Sequence, residues 1–199
     1  KPGIPIPPVA FEISSEVLLL IFVLASLWAA TIKSSIIDFS SFNISFDISI
    51  LPVDFSQTDT IFNQGLVILK DYCKVMNRIG SKGFCRWIMP TNNDLTYLKN
   101  FELHKRRLKE CAKIIGDNGM KLGLEFVGPK TLMSRDQFSF IRTITELREL
   151  IAEIDEKNVG YQLDTFHLYC ANHSVDDLKF LKKDDIVMCQ VNAVSYTHL

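Results

Sequence analysis

Asp164 and His167 close an apolar run, "VGYQLDTFHLY" (residues 159–169), and a carboxylate and an imidazole at the end of such a run need a partner. An unpaired buried charge costs several kcal/mol, so that partner is another side chain, water or a metal. A second carboxylate, Glu125, ends "KLGLEFVGP", and an amide, Gln190, ends "DIVMCQVN". If these ends meet, two carboxylates share one cavity, where they neither ionise comfortably together nor stay unpaired; a divalent cation neutralises both. Gln190 offers such an ion a neutral oxygen. His167 stands one turn beyond Asp164, close enough to touch a ligand of the metal. The competing reading of Glu125 is a structural salt bridge to Lys130 or Arg135.

The elements between these residues decide whether the ends meet. "LPVDF" (51–55) reads as a short strand. Residues 60–79 carry Phe62, Leu66, Leu69, Cys73, Met76 and Ile79 at three- and four-residue steps and stop at Gly80, as an amphipathic helix does. "GFCRWIMP" (83–90) is a second strand. Asn100 begins a helix through Phe101, Leu108, Cys111, Ala112 and Ile115 that stops before Gly119. After the strand that ends in Glu125, Thr143 and Glu146 form a capping box for the next helix. The strand with Asp164 follows, Ser174 caps a short helix, and residues 185–192 are the last strand. On the second helix His104, Lys105, Arg106 and Arg107 read as a solvated outer face.

Alternating strands and helices, with strands apolar on both faces, predict a parallel sheet covered by helices: a (β/α)8 barrel or a doubly wound open sheet. No glycine-rich phosphate loop is present to favour the second. Trp87, Glu125, Asp164 with His167, and Gln190 instead fall at the carboxyl ends of successive strands, which converge on one mouth in a parallel barrel. Lys130, just beyond Glu125, is within reach of a phosphate or carbonyl oxygen or is simply an exposed loop lysine.

Composition narrows the function. The 199 residues are 47% hydrophobic and 23% charged with a net charge of -1, enough for a substantial core and without bias toward phosphate backbones, so no nucleic-acid partner is expected. Five scattered cysteines with no C-x-x-C pair read as reduced, packed thiols of a cytoplasmic protein. The first fifty residues differ from the rest. A proline-rich lead precedes the uncharged stretch Val17 to Ile32, which as a helix reaches about 24 Å, short of the roughly 30 Å hydrocarbon core. A membrane association through it is the alternative to a buried helix or a non-native segment. Residues 42–50 alternate as a half-buried strand does and can extend the first strand.

"LGLEFVGPKT", "GYQLDTFHLY" and "IVMCQVN", with "LPVDF", "WIMP" and "NFELHKRRL", resemble the xylose isomerase-like TIM-barrel superfamily from about Leu51 to Asn192. The likeness is to its sugar phosphate isomerase/epimerase branch, with inosose dehydratases and ketose 3-epimerases. It implies a partial (β/α)8 barrel of about five β/α units over residues 51–192. In that family a glutamate, an aspartate, a histidine and a second glutamate from four consecutive strands hold one divalent metal, usually manganese, cobalt or magnesium. The resemblance places the first glutamate on Glu125, the aspartate on Asp164 and the histidine on Gln190. It makes His167 a substrate-contacting histidine and Trp87 a wall of the sugar pocket.

Two departures follow. Gln190 replaces an imidazole by an amide oxygen and shifts preference toward harder cations such as Mg²⁺ or Mn²⁺. After Asn192 the chain reads "AVSYTHL", a non-native tail (193–199), so the strand with the second glutamate is missing; with residues 1–50 unmatched, a barrel fragment that is inactive alone is expected. The implied chemistry is isomerisation, epimerisation or dehydration of a small ketose, sugar phosphate or inosose through an enediolate, with Glu125 as both ligand and catalytic carboxylate. A non-catalytic sugar-binding barrel is the alternative that Gln190 keeps alive. An apurinic endonuclease needs more histidine than the four present and a basic groove.

Overall fold

In a computed structural model, which describes residues 48–55 and 58–191, apolar runs pair side by side as parallel strands. The elements in chain order are β1 (Ile48–Ile50), α1 (Asp59–Arg78), β2 (Gly83–Ile88), β3 (Thr91–Asn92), α2 (Tyr97–Asp117), β4 (Lys121–Phe126), α3 (Lys130–Met133), β5 (Phe138–Ser139), α4 (Ile144–Ile154), β6 (Val159–Asp164), α5 (Thr165–Cys170) and β7 (Ile186–Gln190). The sheet order β1-β2-β4-β6-β7 is parallel at every step, a five-stranded half-barrel of the expected α/β class. A two-stranded antiparallel ribbon, β3 with β5, was not expected from the sequence. Contacts divide the chain into residues 1–44 and 45–199, and the described residues all belong to the second unit. The stretch Val17 to Ile32 lies outside them; among the described residues no helix is long and apolar enough to cross a membrane.

The helices follow the apolar periodicity. α1 buries Phe62, Leu69, Cys73 and Met76; Thr58 Oγ1 accepts the Ile61 N–H at 3.4 Å, and Gly80, with φ of 81°, takes the left-handed turn after it. Ile79, expected on the buried stripe, is exposed because the helix has already ended at Arg78. α2 begins at Tyr97 rather than Asn100 and buries Leu108, Cys111, Ala112 and Ile115. Thr143 Oγ1 accepts the Glu146 N–H at 3.2 Å, while the Glu146 carboxylate accepts the Arg142 N–H at 3.0 Å, one residue before the position a capping box implies. Ser174 heads the 3-10 turn Val175–Leu178 with a reciprocal bond to Asp177.

Three expectations are corrected. "LPVDF" is not a strand: Leu51 N–H still reaches the Cys85 carbonyl at 3.0 Å, but Pro52 has no N–H to continue a ladder, and the strand lies just before it, in β1. Leu51, Val53 and Phe55 nevertheless alternate into the core, so the side chains keep a strand's pattern without its bonds. The charged run on α2 is not a solvated face. Arg107 is 3% exposed, pairs with Asp59 at 2.8 Å and donates to the Phe55 carbonyl, and His104 lies between the Phe55 and Phe140 rings. Asn100, His104, Arg107, Leu108 and Cys111 share one helical face at steps of three and four, and Lys105 and Arg106 turn outward to surface acids. Among the cysteines, Cys73, Cys85 and Cys111 pack in the interior, but Cys189 is exposed and Cys170 half-buried.

Candidate metal centre

Glu125 stands near the end of β4 and Asp164 at the end of β6, 5% and 7% exposed respectively. The pleat puts Gly123 on the same face as Glu125, and a Cβ there would lie 3.1 Å from Val187 Cβ and 3.5 Å from Gln162 Cβ; the missing side chain lets β6 and β7 crowd in beside the carboxylates. Asp164 also caps α5: its Oδ1 accepts the Phe166 N–H at 2.7 Å, which fixes the carboxylate plane.

Gln162, two residues before Asp164 and hence on the same face of β6, links the others. Its Nε2 donates to Glu125 Oε2 at 3.1 Å and to Gln190 Oε1 at 3.3 Å. Glu125 Oε1 and Gln162 Oε1 are both buried and accept no hydrogen bond. Gln190 reaches this network through an irregularity in β7. Tyr161 pairs with Ile186 but Gln162 with Met188, so β7 carries one extra residue there. That bulge lets Val187, which touches the inner positions Gly123 and Gly160, and Gln190, three residues on, face the same side.

The tautomer of His167 follows from its partner. The Gly128 N–H donates to His167 Nδ1 at 3.3 Å, so the neutral ring carries its proton on Nε2, which lies 3.9 Å from Glu125 Oε1. Gly128 is required at this junction because a Cβ would run into the His167 carbonyl oxygen. Burial, and after it the Asp164 charge, pushes the Glu125 carboxyl up to about 7. Burial pulls the His167 imidazole down against the opposing pull of Asp164. Cys85, on β2, is pushed up to about 11 by burial and by Glu125.

Ligand atoms of Glu125, Asp164 and His167 all lie within 4.8 Å of one another. A cation among them would satisfy the buried Glu125 oxygen that no donor reaches, so the two carboxylates fit a divalent ion. His167 fits less well as a ligand: its Nδ1 lone pair is engaged by Gly128 and its Nε2 bears the proton. Gln190 contributes an amide oxygen already held by Gln162, with a second lone pair still open to a metal.

Of the other expected residues, Trp87 is opposite Glu125 in the β2–β4 register and 39% exposed. Lys130 is exposed at the start of α3 and makes no hydrogen bond or ion pair among the described residues. It borders a separate cavity of about 180 Å³ with Met133, Thr143 and Cys170. Neither Lys130 nor Arg135 pairs with Glu125; Arg135 is 3.3 Å from Asp136. Sequence reading missed Gln162, although its spacing from Asp164 on a strand was a usable signal.

The sequence profile of the xylose isomerase-like TIM barrels matches residues 21–199. A xylose isomerase domain protein from Alicyclobacillus acidocaldarius superposes with a TM-score of 0.67 at 25% identity, covering 71% of this chain and 50% of that one. The IolI protein with a bound zinc atom gives 0.57 at 19%, covering 72% and 49%. The 3-keto-D-glucoside 4-epimerase of E. coli gives 0.57 at 16%, covering 75% and 56%. The chain thus spans about half the length of these solved structures. No protein of curated function matches it in sequence.

Proposed function

The chain belongs to the xylose isomerase-like TIM-barrel family, and from that premise we propose that it carries the metal-binding half of a sugar isomerase or epimerase. The substrate class is a small sugar with a carbonyl beside a hydroxyl-bearing carbon. The observation that carries this reading is the buried, unpartnered Glu125 Oε1 beside Asp164 and within 3.9 Å of an imidazole N–H. Glu125 and Asp164 would hold a divalent ion, with Gln190 as a neutral third donor. Such an ion, when bound, supplies Lewis acidity to a sugar carbonyl and its neighbouring hydroxyl.

The protein's own residues do the rest. Glu125, whose Oε1 no donor reaches, would be the carboxylate that moves the proton of the reacting carbon. Gln162 holds its Oε2, so that Oε1 is the oxygen presented to the site. His167 presents an Nε2–H to an oxygen on which negative charge develops as the enediolate forms, and Gly128 keeps that tautomer. Trp87 offers a ring face to the sugar.

Glu125→Gln and Asp164→Asn should each lose the ion, measured by elemental analysis of the purified protein, and, in a complete barrel that contains this chain, the exchange of carbon-bound protons of ketoses in D₂O. Unchanged metal content in both variants would overturn the site. A complete barrel with the wild-type residues that binds the ion and a ketose without exchanging any proton would instead be the non-catalytic sugar-binding barrel.

A further inference from the structure

β2 has two faces with different tasks. Trp87 is paired with Glu125, whereas Arg86 points from the opposite face toward α2, its guanidinium 5.2 Å from the centre of the Phe55 ring and 5.6 Å from that of Trp87. Arg86 is largely withdrawn from water, which pulls its pKa below the usual arginine value, against the attraction of Asp54. Among the described residues it makes no hydrogen bond, and no carboxylate comes within ion-pair distance of it. Arginine brings five N–H donors in a fixed fork that matches carboxylate and phosphate, and here none is used.

The guanidinium opens onto a cavity of about 410 Å³ bordered by Trp87, Phe55, Asn100, His104 and Asp136. Asn100 is 2% exposed and its Oδ1 accepts nothing. His104 Nδ1 bonds the Asn100 carbonyl at 2.9 Å, and burial holds its pKa at about 4, so the ring is neutral and its Nε2 is an acceptor. The acid on the wall, Asp136, is already engaged by Thr91 at 2.7 Å, Arg135 at 3.3 Å and Asn93 at 3.3 Å; Asp94 lies on the exposed rim. The occupant that completes this set carries an oxyanion for Arg86 and a C–H face for Trp87.

We propose that this cavity is an oxyanion site, one that takes a phosphorylated or acidic small sugar through Arg86 and Trp87. The choice of a sugar rests on the sugar isomerase/epimerase reading of the Glu125–Asp164 centre, but the test does not. Titration calorimetry on the protein in chelator compares D-ribulose 5-phosphate with D-ribulose, and D-gluconate with sorbitol. At least one anionic member should bind tenfold or more tighter than its neutral partner, and the pair that shows the difference tells phosphate from carboxylate.

Arg86→Met should abolish that advantage and Arg86→Lys should keep part of it. Equal affinities within both pairs for the wild type, a comparison that needs no variant to fold, would overturn the proposal. So would an advantage that survives in a folded Arg86→Met protein. Asp164→Asn should retain the advantage while losing the metal, so failure of the metal centre and failure of this cavity read out separately.

Discussion

Glu125 is held where its charged form is disfavoured, and the consequence can be measured without substrate. Its folded pKa is raised from 4.5 to about 7, by burial first and Asp164 second. The folded state therefore binds this proton more tightly than the unfolded state. Stability from this group is complete below about pH 4.5 and is lost as pH rises to about 7. A shift of this size corresponds to about 3 kcal/mol, given that the side chain is almost wholly out of water. Glu125→Gln cannot ionise. In chelator, the two proteins should differ little at pH 4, and the glutamine variant should be the more stable by about 3 kcal/mol at pH 8, measured by urea unfolding. A difference that stays flat across this range would mean that Glu125 is solvated or already paired. Adding a divalent cation should close the gap, since the ion takes the place of the proton.

At the scale of elements, the junction of β4 with α5 sets the imidazole. Gly128 packs its backbone against the His167 carbonyl and donates to His167 Nδ1, two contacts that a methyl group at Gly128 would push apart. Gly128→Ala should therefore destabilise the fold by about 1–3 kcal/mol. In a complete barrel that contains this chain it should also lower turnover by about a hundredfold, as His167→Ala should, with the metal retained in both. Elemental analysis beside steady-state rates checks this, and a Gly128→Ala protein with full turnover would show that His167 needs no such support. The sequence made the carboxylates legible because each ends an apolar run, and the helices legible because α1, α2 and α4 keep a 3.6-residue period. It did not show Gly128's role, which depends on a residue far along the chain. Nor did it show the β7 bulge, since an extra residue in a strand leaves no mark on an apolar run such as "IVMCQ". The burial of Arg107 and His104 is masked by the charged residues around them, although both stand at helical spacing from Leu108 and Cys111.

For the whole molecule, the centre ties together strands that are far apart in sequence. Glu125 comes from β4, Asp164 from β6 and Gln190 from β7, all neighbours in one parallel sheet. The unfolded chain does not hold these oxygens together, so an ion that uses them binds the folded state selectively and stabilises it by mass action. At one hundred times its dissociation constant the gain is about 2.7 kcal/mol. For a body of this size that raises the melting midpoint by about 5–10 °C. Mn²⁺ or Mg²⁺ should do so in the wild type at pH 7.5, and by less at pH 5, where Glu125 retains its proton and the ion must displace it. Asp164→Asn should melt at the same temperature with and without the ion. Scanning calorimetry of the two proteins across a metal titration decides the matter: equal shifts in both would place the ion elsewhere on the molecule, and no shift in the wild type would leave the carboxylates without the partner that their burial demands.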